Sequence, residues 1–182
     1  MKYELIRSER KSLSLQIKEG RVIVRAPMKA PVKQIEAFIS ENSGWIEKKL
    51  HESEESAKKA AEAGYLSAED IKRLADAAMI TIPARVRHYA GIIGVRYGRI
   101  TIRCQRTKWG SCSSKGNLNF NCLLMLAPPE VLDSVVVHEL CHIKEMNHSP
   151  RFYELVYSVC PDYKKHRLWL KENGQSLLNR VK

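Results

Sequence analysis

With 182 residues, 44% of them apolar and 28% charged, the chain can bury one sizeable core and is too apolar to be disordered. No apolar run reaches the roughly eighteen residues of a membrane span, and Met1-Lys2-Tyr3-Glu4-Leu5-Ile6-Arg7 lacks the apolar stretch of a secretion signal. Five cysteines at 104, 112, 122, 141 and 160, an odd count without framework spacing, point to reduced thiols in a cytoplasm.

The formal net charge of +11 is unevenly spread. Between Asp76 and Glu130 there is no acidic residue, while Arg85, Arg87, Arg96, Arg99, Arg103, Arg106, Lys108 and Lys115 fall in that window. Such a window is either a solvated surface or a positive field that steers nucleic acid or an anionic substrate.

Taken in order, residues 3–27 alternate apolar and polar positions. Leu13, Leu15 and Ile17 face Val22 and Val24 across Glu19-Gly20, which predicts a β-hairpin. Pro31 opens a helix with Val32, Ile35, Phe38 and Ile39 on one stripe, pausing near Asn42-Ser43-Gly44. Residues 52–63 interleave Glu and Lys and read as an exposed helical connector. Ser67-Ala68-Glu69-Asp70 offers a capping box for a helix running to about Gly91, with a kink expected at Pro83. His88 reads as a plain helix residue. Strands are expected at 99–104 and 117–124, the second with Leu118, Phe120, Cys122 and Leu124 on one face and Asn117, Asn119 and Asn121 on the other. Residues 106–116 between them read as a loop. Pro128-Pro129 starts the next helix, Ser149-Pro150 another, and a last helix is expected from Tyr163 to Glu172, stopping at Asn173-Gly174.

The stretch Val135-Val136-Val137-His138-Glu139-Leu140-Cys141-His142 is apolar all round except at its two histidines and its glutamate. Such a helix belongs in a core, where imidazoles and a carboxylate are costly unless something binds them. His138 and His142 are four residues apart and share one helical face. This is the H-E-x-x-H arrangement, two ligands for Zn²⁺ and a carboxylate able to deprotonate zinc-bound water. A catalytic zinc site takes a third protein ligand. His148 follows six residues after His142, as in H-E-x-x-H-x-x-G-x-x-H enzymes, but position 145 is Glu and no methionine follows Met146 to make a Met-turn. Glu154 is the rival third ligand.

His138-Glu139-Leu140-Cys141-His142, with Asn147-His148-Ser149 and Phe152, resembles the YgjP-like (SprT-related) metallopeptidases, described as metal-dependent hydrolases. Trp109-Gly110-Ser111-Cys112 before the helix, and Pro161-Asp162-Tyr163 with Trp169-Leu170 after it, fit the same family. The resemblance is tight over residues 103–173. It implies an α+β fold with a compact zincin-like core, in which a small mixed sheet packs on the metal-binding helix. It also implies zinc on His138, His142 and His148, with Glu139 as catalytic base. On this reading residues 1–64 form an N-terminal β-hairpin and helical segment and residues 65–182 the metallohydrolase core, or the whole is one continuous domain.

The function expected is peptide-bond hydrolysis, with a peptide or protein substrate and no membrane partner. Glu139 takes the proton of the attacking water and returns it to the leaving amine. Arg106, Arg151, Tyr153 and Tyr157 are candidates to stabilise the oxyanion. The strand at 117–124 is a candidate edge for an extended peptide. Cys141 reads as core packing, and Trp109 as a loop anchor. Cys112 reads as a small packed residue in a tight turn, with a zinc-ligating thiolate as the alternative. Two other functions compete: a metal-dependent nucleotide pyrophosphatase using the basic window, and a non-catalytic basic nucleic-acid-binding module with structural zinc. The chain has no P-loop, and Glu139 has no role in a structural site.

Overall fold

The computed structural model describes residues 2–181 and divides into two compact units, residues 1–59 and 60–182. The first unit holds strands β1 (Glu4–Ser8), β2 (Ser14–Lys18) and β3 (Arg21–Pro27) in the order β1-β3-β2. The expected hairpin is β2-β3, antiparallel with Lys18 opposite Arg21. Glu19 and Gly20 turn it with φ of +51° and +72°, the positive values a two-residue type I′ turn needs. β1 adds in parallel to the other side of β3, making a sheet of what the alternation alone reads as a hairpin. Helices α1 (Val32–Glu41) and α2 (Ser43–Glu62) follow, and Ile35, Ile39 and Ile46 are buried with Val22, Val24 and Ala26.

The second unit carries α3 (Ala68–Ile93), β4 (Ile100–Arg103), β5 (Gly110–Cys112), β6 (Leu118–Asn121), α4 (Pro129–Cys141), α5 (Pro150–Val159) and α6 (Tyr163–Leu178). The Ser67–Asp70 capping box starts α3, which is continuous through Pro83 and Gly91 and ends at Gly94 in the left-handed conformation (φ +69°). Its stripe of Ala78, Ile82, Val86, Ala90 and Ile93 is buried. It packs in one core with α4, whose Val136, Val137, Leu140 and Cys141 are fully buried, and with Leu118 and Phe120 of the sheet. Arg85 of α3 donates to both carboxylate oxygens of Asp133 on α4 (2.6 and 2.5 Å), so one member of the basic window is committed to a structural pair.

The sheet order is β4-β6-β5, with β4 parallel and β5 antiparallel to β6. Residues 110–112, read from sequence as loop, therefore form a strand. Gly-Ser-Cys has little strand propensity of its own, and the pairing with Leu118–Phe120 imposes the conformation. The strand expected to reach residue 124 stops at Asn121, after which Cys122–Leu126 form a 3-10 helix. The Asn121 side chain is the cause. Its oxygen accepts from Leu123 N at 3.1 Å, and its amide donates to the carbonyls of Gln105 (2.8 Å) and Lys108 (2.9 Å). Asn121 is thus fully buried rather than on an open polar face. Because β6 is central, residues 117–124 offer no free edge, and the edges are β4 and β5.

The last helix runs through Asn173-Gly174 to Leu178. No helix among the described residues is long and apolar enough to cross a membrane.

Replacing Asn121 by Ala leaves two carbonyls, of Gln105 and Lys108, and two amides, of Gln105 and Leu123, without their partner. Each buried polar group left unpaired costs about 1–3 kcal/mol. A loss of about 2–4 kcal/mol is expected in urea unfolding, as a lower midpoint at unchanged slope. A midpoint within error of the parent would show that the 105–108 loop is held by something else.

Candidate metal centre

Helix α4 starts at Pro129 in its first turn and ends at Cys141, so His138 lies in its last turn and His142 is its C-cap. Turn hydrogen bonds from the amides of Lys144 and Glu145 to Cys141 O reverse the chain. That reversal brings His148 back just before α5, whose Ser149 cap accepts from Phe152 N at 3.3 Å. One ligand atom from each of His138, His142 and His148 lies within 4.8 Å of the others. The Nε2 atom of His138 is 3.2 Å from that of His142 and 3.2 Å from that of His148. Glu154 is exposed and stands outside this cluster.

The three rings surround Phe152, with centroids 5.0, 4.6 and 4.9 Å from its ring for His138, His142 and His148. Phe152 is fully buried, so the rings rest on a rigid apolar floor. His142 Nδ1 lies 3.1 Å from the carbonyl of Glu145, which only accepts, so the proton sits on Nδ1 and Nε2 carries a lone pair. His138 Nδ1 lies 2.8 Å from Tyr163 Oη, a hydroxyl that can accept from Nδ1–H and so leave a bare Nε2 turned inward. Burial, then the neighbouring imidazoles, lowers His138 to about 3, and burial also lowers His142, so both are neutral near pH 7. With Nδ1 protonated on both rings, the two Nε2 lone pairs 3.2 Å apart repel unless a cation lies between them. The donor set and its spacing therefore fit a metal ion.

Glu139, beside this cluster, is 6% exposed, and its carboxylate accepts no hydrogen bond from any described residue. Burial lifts its carboxyl to about 7 against the opposing charge of Lys108. Gly110 of β5 lies against it: a Cβ there would sit 2.7 Å from Glu139 Oε1. A cavity of about 240 Å³ opens beside Glu139 and His138, walled by Trp109, Val135 and Leu170 with Tyr163, Lys108 and Arg167. The Trp109 wall depends on Gly174, where a Cβ would come 3.1 Å from the indole nitrogen.

Sequence reasoning thus names the three histidines and the glutamate that the fold gathers. It misses Tyr163, Lys108 and Arg167 as cavity residues. Tyr163 and Arg167 sit one turn apart on α6, and that i,i+4 pair is the signal available. Of the oxyanion candidates, Tyr153 lies near the cluster, its ring centroid 6.1 Å from that of His148, whereas Tyr157 lies against Tyr163 at 6.0 Å. Arg106 and Arg151 are exposed and do not line the cavity. Burial, and then the charge of nearby Glu139, raises the Cys112 thiol, but Cys112 does not join the histidine cluster. Cys141 is core, its thiol pushed up to about 12 by burial. Trp109 is half-buried and anchored on α6.

A histidine pair one helical turn apart, a buried glutamate and a third histidine from the next loop are a residue set suited to hold a metal ion with a carboxylate beside it. The chain belongs to the YgjP-like metallopeptidase-domain family, which matches residues 11–77 and 69–173. A protein named UTP pyrophosphatase, from Escherichia coli (strain K12), is 34% identical over 71 residues, 37% of this chain. This chain thereby spans 42% of the length of that relative. The solved structure of the metallopeptidase zymogen of Pyrococcus abyssi abylysin is similar over 50% of this chain and 94% of its own, at 24% identity and TM-score 0.45. That of the zymogen of Methanocaldococcus jannaschii jannalysin is similar over 48% and 94%, at 21% identity and TM-score 0.41.

The raised carboxyl of Glu139 has a consequence for the metal-free protein. A folded-state value near 7 against an ordinary 4.5 means that stability is highest below about 4.5 and falls as pH rises toward 7. In metal-free protein, Glu139→Gln should therefore stabilise more at pH 8 than at pH 4.5, by on the order of 2–3 kcal/mol. Thermal unfolding at both pH values measures it. An equal effect at both would mean that the carboxylate is solvated.

Proposed function

We propose that this protein is a zinc-dependent metallopeptidase in which His138, His142 and His148 hold the ion and Glu139 is the general base. The observation that carries the reading is the convergence of three imidazole Nε2 atoms beside a buried carboxylate without a protein donor. Three nitrogen ligands leave zinc one exchangeable position. The ion, when bound, polarises the scissile carbonyl and acidifies water.

The rest is the work of the chain. Glu139, lifted into the range of a neutral-pH base, accepts the proton of the attacking water and delivers it to the leaving nitrogen. Tyr163, held as the neutral phenol by a value raised to about 12, accepts from His138 Nδ1–H and fixes that ring. The free edge of β5 runs beside Glu139. Asn121 N donates to Trp109 O, so Trp109 and Ser111 bond to β6 and the peptide groups of Gly110 and Cys112 turn outward. An extended peptide pairing there passes Glu139 without meeting a side chain at Gly110. This edge replaces the 117–124 strand expected from sequence. A cytoplasmic setting accords with five free cysteines.

A second reading rests on a specific observation. Lys108 and Arg167 at the cavity mouth suit an anion, and the E. coli relative is named for a nucleoside triphosphate. A metal-dependent pyrophosphatase would use the same histidines and glutamate.

Purified protein should bind about one zinc per chain. His148→Ala should lose most of it, whereas Glu154→Ala should keep it. Glu139→Gln should retain zinc and fold yet lose roughly 10²- to 10⁴-fold in hydrolysis. Wild type and this variant are compared on an unstructured protein, a DNA-bound protein and a panel of nucleoside triphosphates. Glu139-dependent cleavage of polypeptide supports the peptidase. Glu139-dependent cleavage of triphosphates alone replaces it with the pyrophosphatase. Equal activity of both proteins sinks the assignment of Glu139.

A further inference from the structure

The far edge of the same sheet carries an arrangement that the catalytic reading does not use. β4 is the other edge strand, paired only with β6. Leu118 N donates to Arg99 O at 2.9 Å, which sets the phase of the parallel ladder. In such a ladder alternate residues turn their peptide groups to opposite sides. Arg99, Thr101 and Arg103 face β6, so the N–H and C=O groups of Ile100 and Ile102 face away. No described residue hydrogen-bonds to them. Proteins usually blunt such an edge with a proline, a bulge or a covering element. Here it borders a groove of about 600 Å³ against Met79 and Pro83 of α3.

The side chains of β4 sort by face. Ile100 and Ile102 register with the fully buried Leu118 and Phe120, so they lie on the core side, where the groove continues onto Met79 (57% exposed). Arg99, Thr101 and Arg103 lie on the opposite side. Both arginines are exposed, neither pairs with a described carboxylate, and the sequence holds no acid from residue 77 to 129.

We propose that the β4 edge and its groove are a docking site for an extended polypeptide segment in which acidic and apolar side chains alternate. Added as a fourth strand, the segment pairs its backbone with Ile100 and Ile102. Its apolar side chains fall on Met79 and Pro83, and its acids fall beside Arg99 and Arg103. Those arginines are four residues apart along the strand, about 13 Å, so the two acids of the segment are also four residues apart. A second copy of this chain is the wrong occupant. An antiparallel pair centred on Thr101 sets Arg99 against Arg103 of the other copy, and like charges opposite one another destabilise a ladder. A nucleic acid would satisfy the arginines but leave the outward amides and the apolar floor without partners. The site does not depend on which bond the protein cleaves.

The test uses the intact protein and a fluorescein-labelled peptide containing Glu-Val-Thr-Val-Glu, with binding followed by anisotropy. Saturable binding that weakens with salt is expected. Arg99→Glu/Arg103→Glu should weaken it at least about tenfold, and a Lys-Val-Thr-Val-Lys peptide should recover affinity for that variant. Methylating the valine amides should abolish binding to wild-type protein, a measurement independent of how any variant folds. Equal binding of the methylated peptide would rule out strand addition. Absent binding, indifference to the charge reversal, a dimer formed through this edge, or tighter binding of a DNA or RNA oligonucleotide would each overturn the proposal.

Discussion

Helix α4 must carry two imidazoles and a carboxylate through a core that leaves it almost no wet side. His138 and His142 stack with Nε2 atoms 3.2 Å apart, and the carbonyl of Glu145 fixes the tautomer of His142 so that its inner nitrogen holds a lone pair. Burial keeps these rings neutral, so no imidazolium bridges them, and with Nδ1 protonated on both rings the Nε2 lone pairs face each other. Opposed lone pairs in a low-dielectric pocket are tolerable only with a cation between them. The surrounding structure serves this constraint. Phe152 floors the rings, Tyr163 holds the outer nitrogen of His138, and the turn after Cys141 returns His148 to the same point.

Glu139 obeys the opposite logic. It has no protein donor, so its charge is costly, and its carboxyl is correspondingly lifted. The fold admits it by keeping Gly110 bare, since any side chain there would collide with the carboxylate. Gly174 plays the same part for Trp109, which walls the cavity. Asn121 ties these parts together, because the loop it holds by the carbonyls of Gln105 and Lys108 delivers Lys108, Trp109 and Gly110 to the site. One buried amide thus sets both the end of the central strand and the position of the cavity wall.

Much of this was legible in the sequence, because it follows from local rules. His138, Glu139 and His142 share one helical turn, Ser149-Pro150 marks the next helix, and Ser67–Asp70 caps α3. What was not legible depends on partners distant in the chain. β5 is a strand only because β6 lies beside it, and no periodicity in Gly-Ser-Cys announces that. Alternation carried the second strand on to Leu124, yet the side chain of Asn121 turns the chain earlier by capping a 3-10 helix. Asn173-Gly174 looked like a helix stop, whereas Gly174 is there to admit Trp109. The basic window was visible as composition, but its partition was not: Arg85 is spent on Asp133, Lys108 faces Glu139, and Arg99 and Arg103 flank a free strand edge.

In the proposed site three imidazoles, and no thiolate, hold one zinc ion with a position left for an exchangeable ligand. X-ray absorption at the zinc edge of the loaded protein tests it most directly. A first shell of three nitrogens at about 2.0–2.1 Å and one oxygen at a similar distance, with no sulfur, is expected. Sulfur scattering at about 2.3 Å, which would bring Cys112 into the site, or a shell closed by four protein ligands, would contradict it.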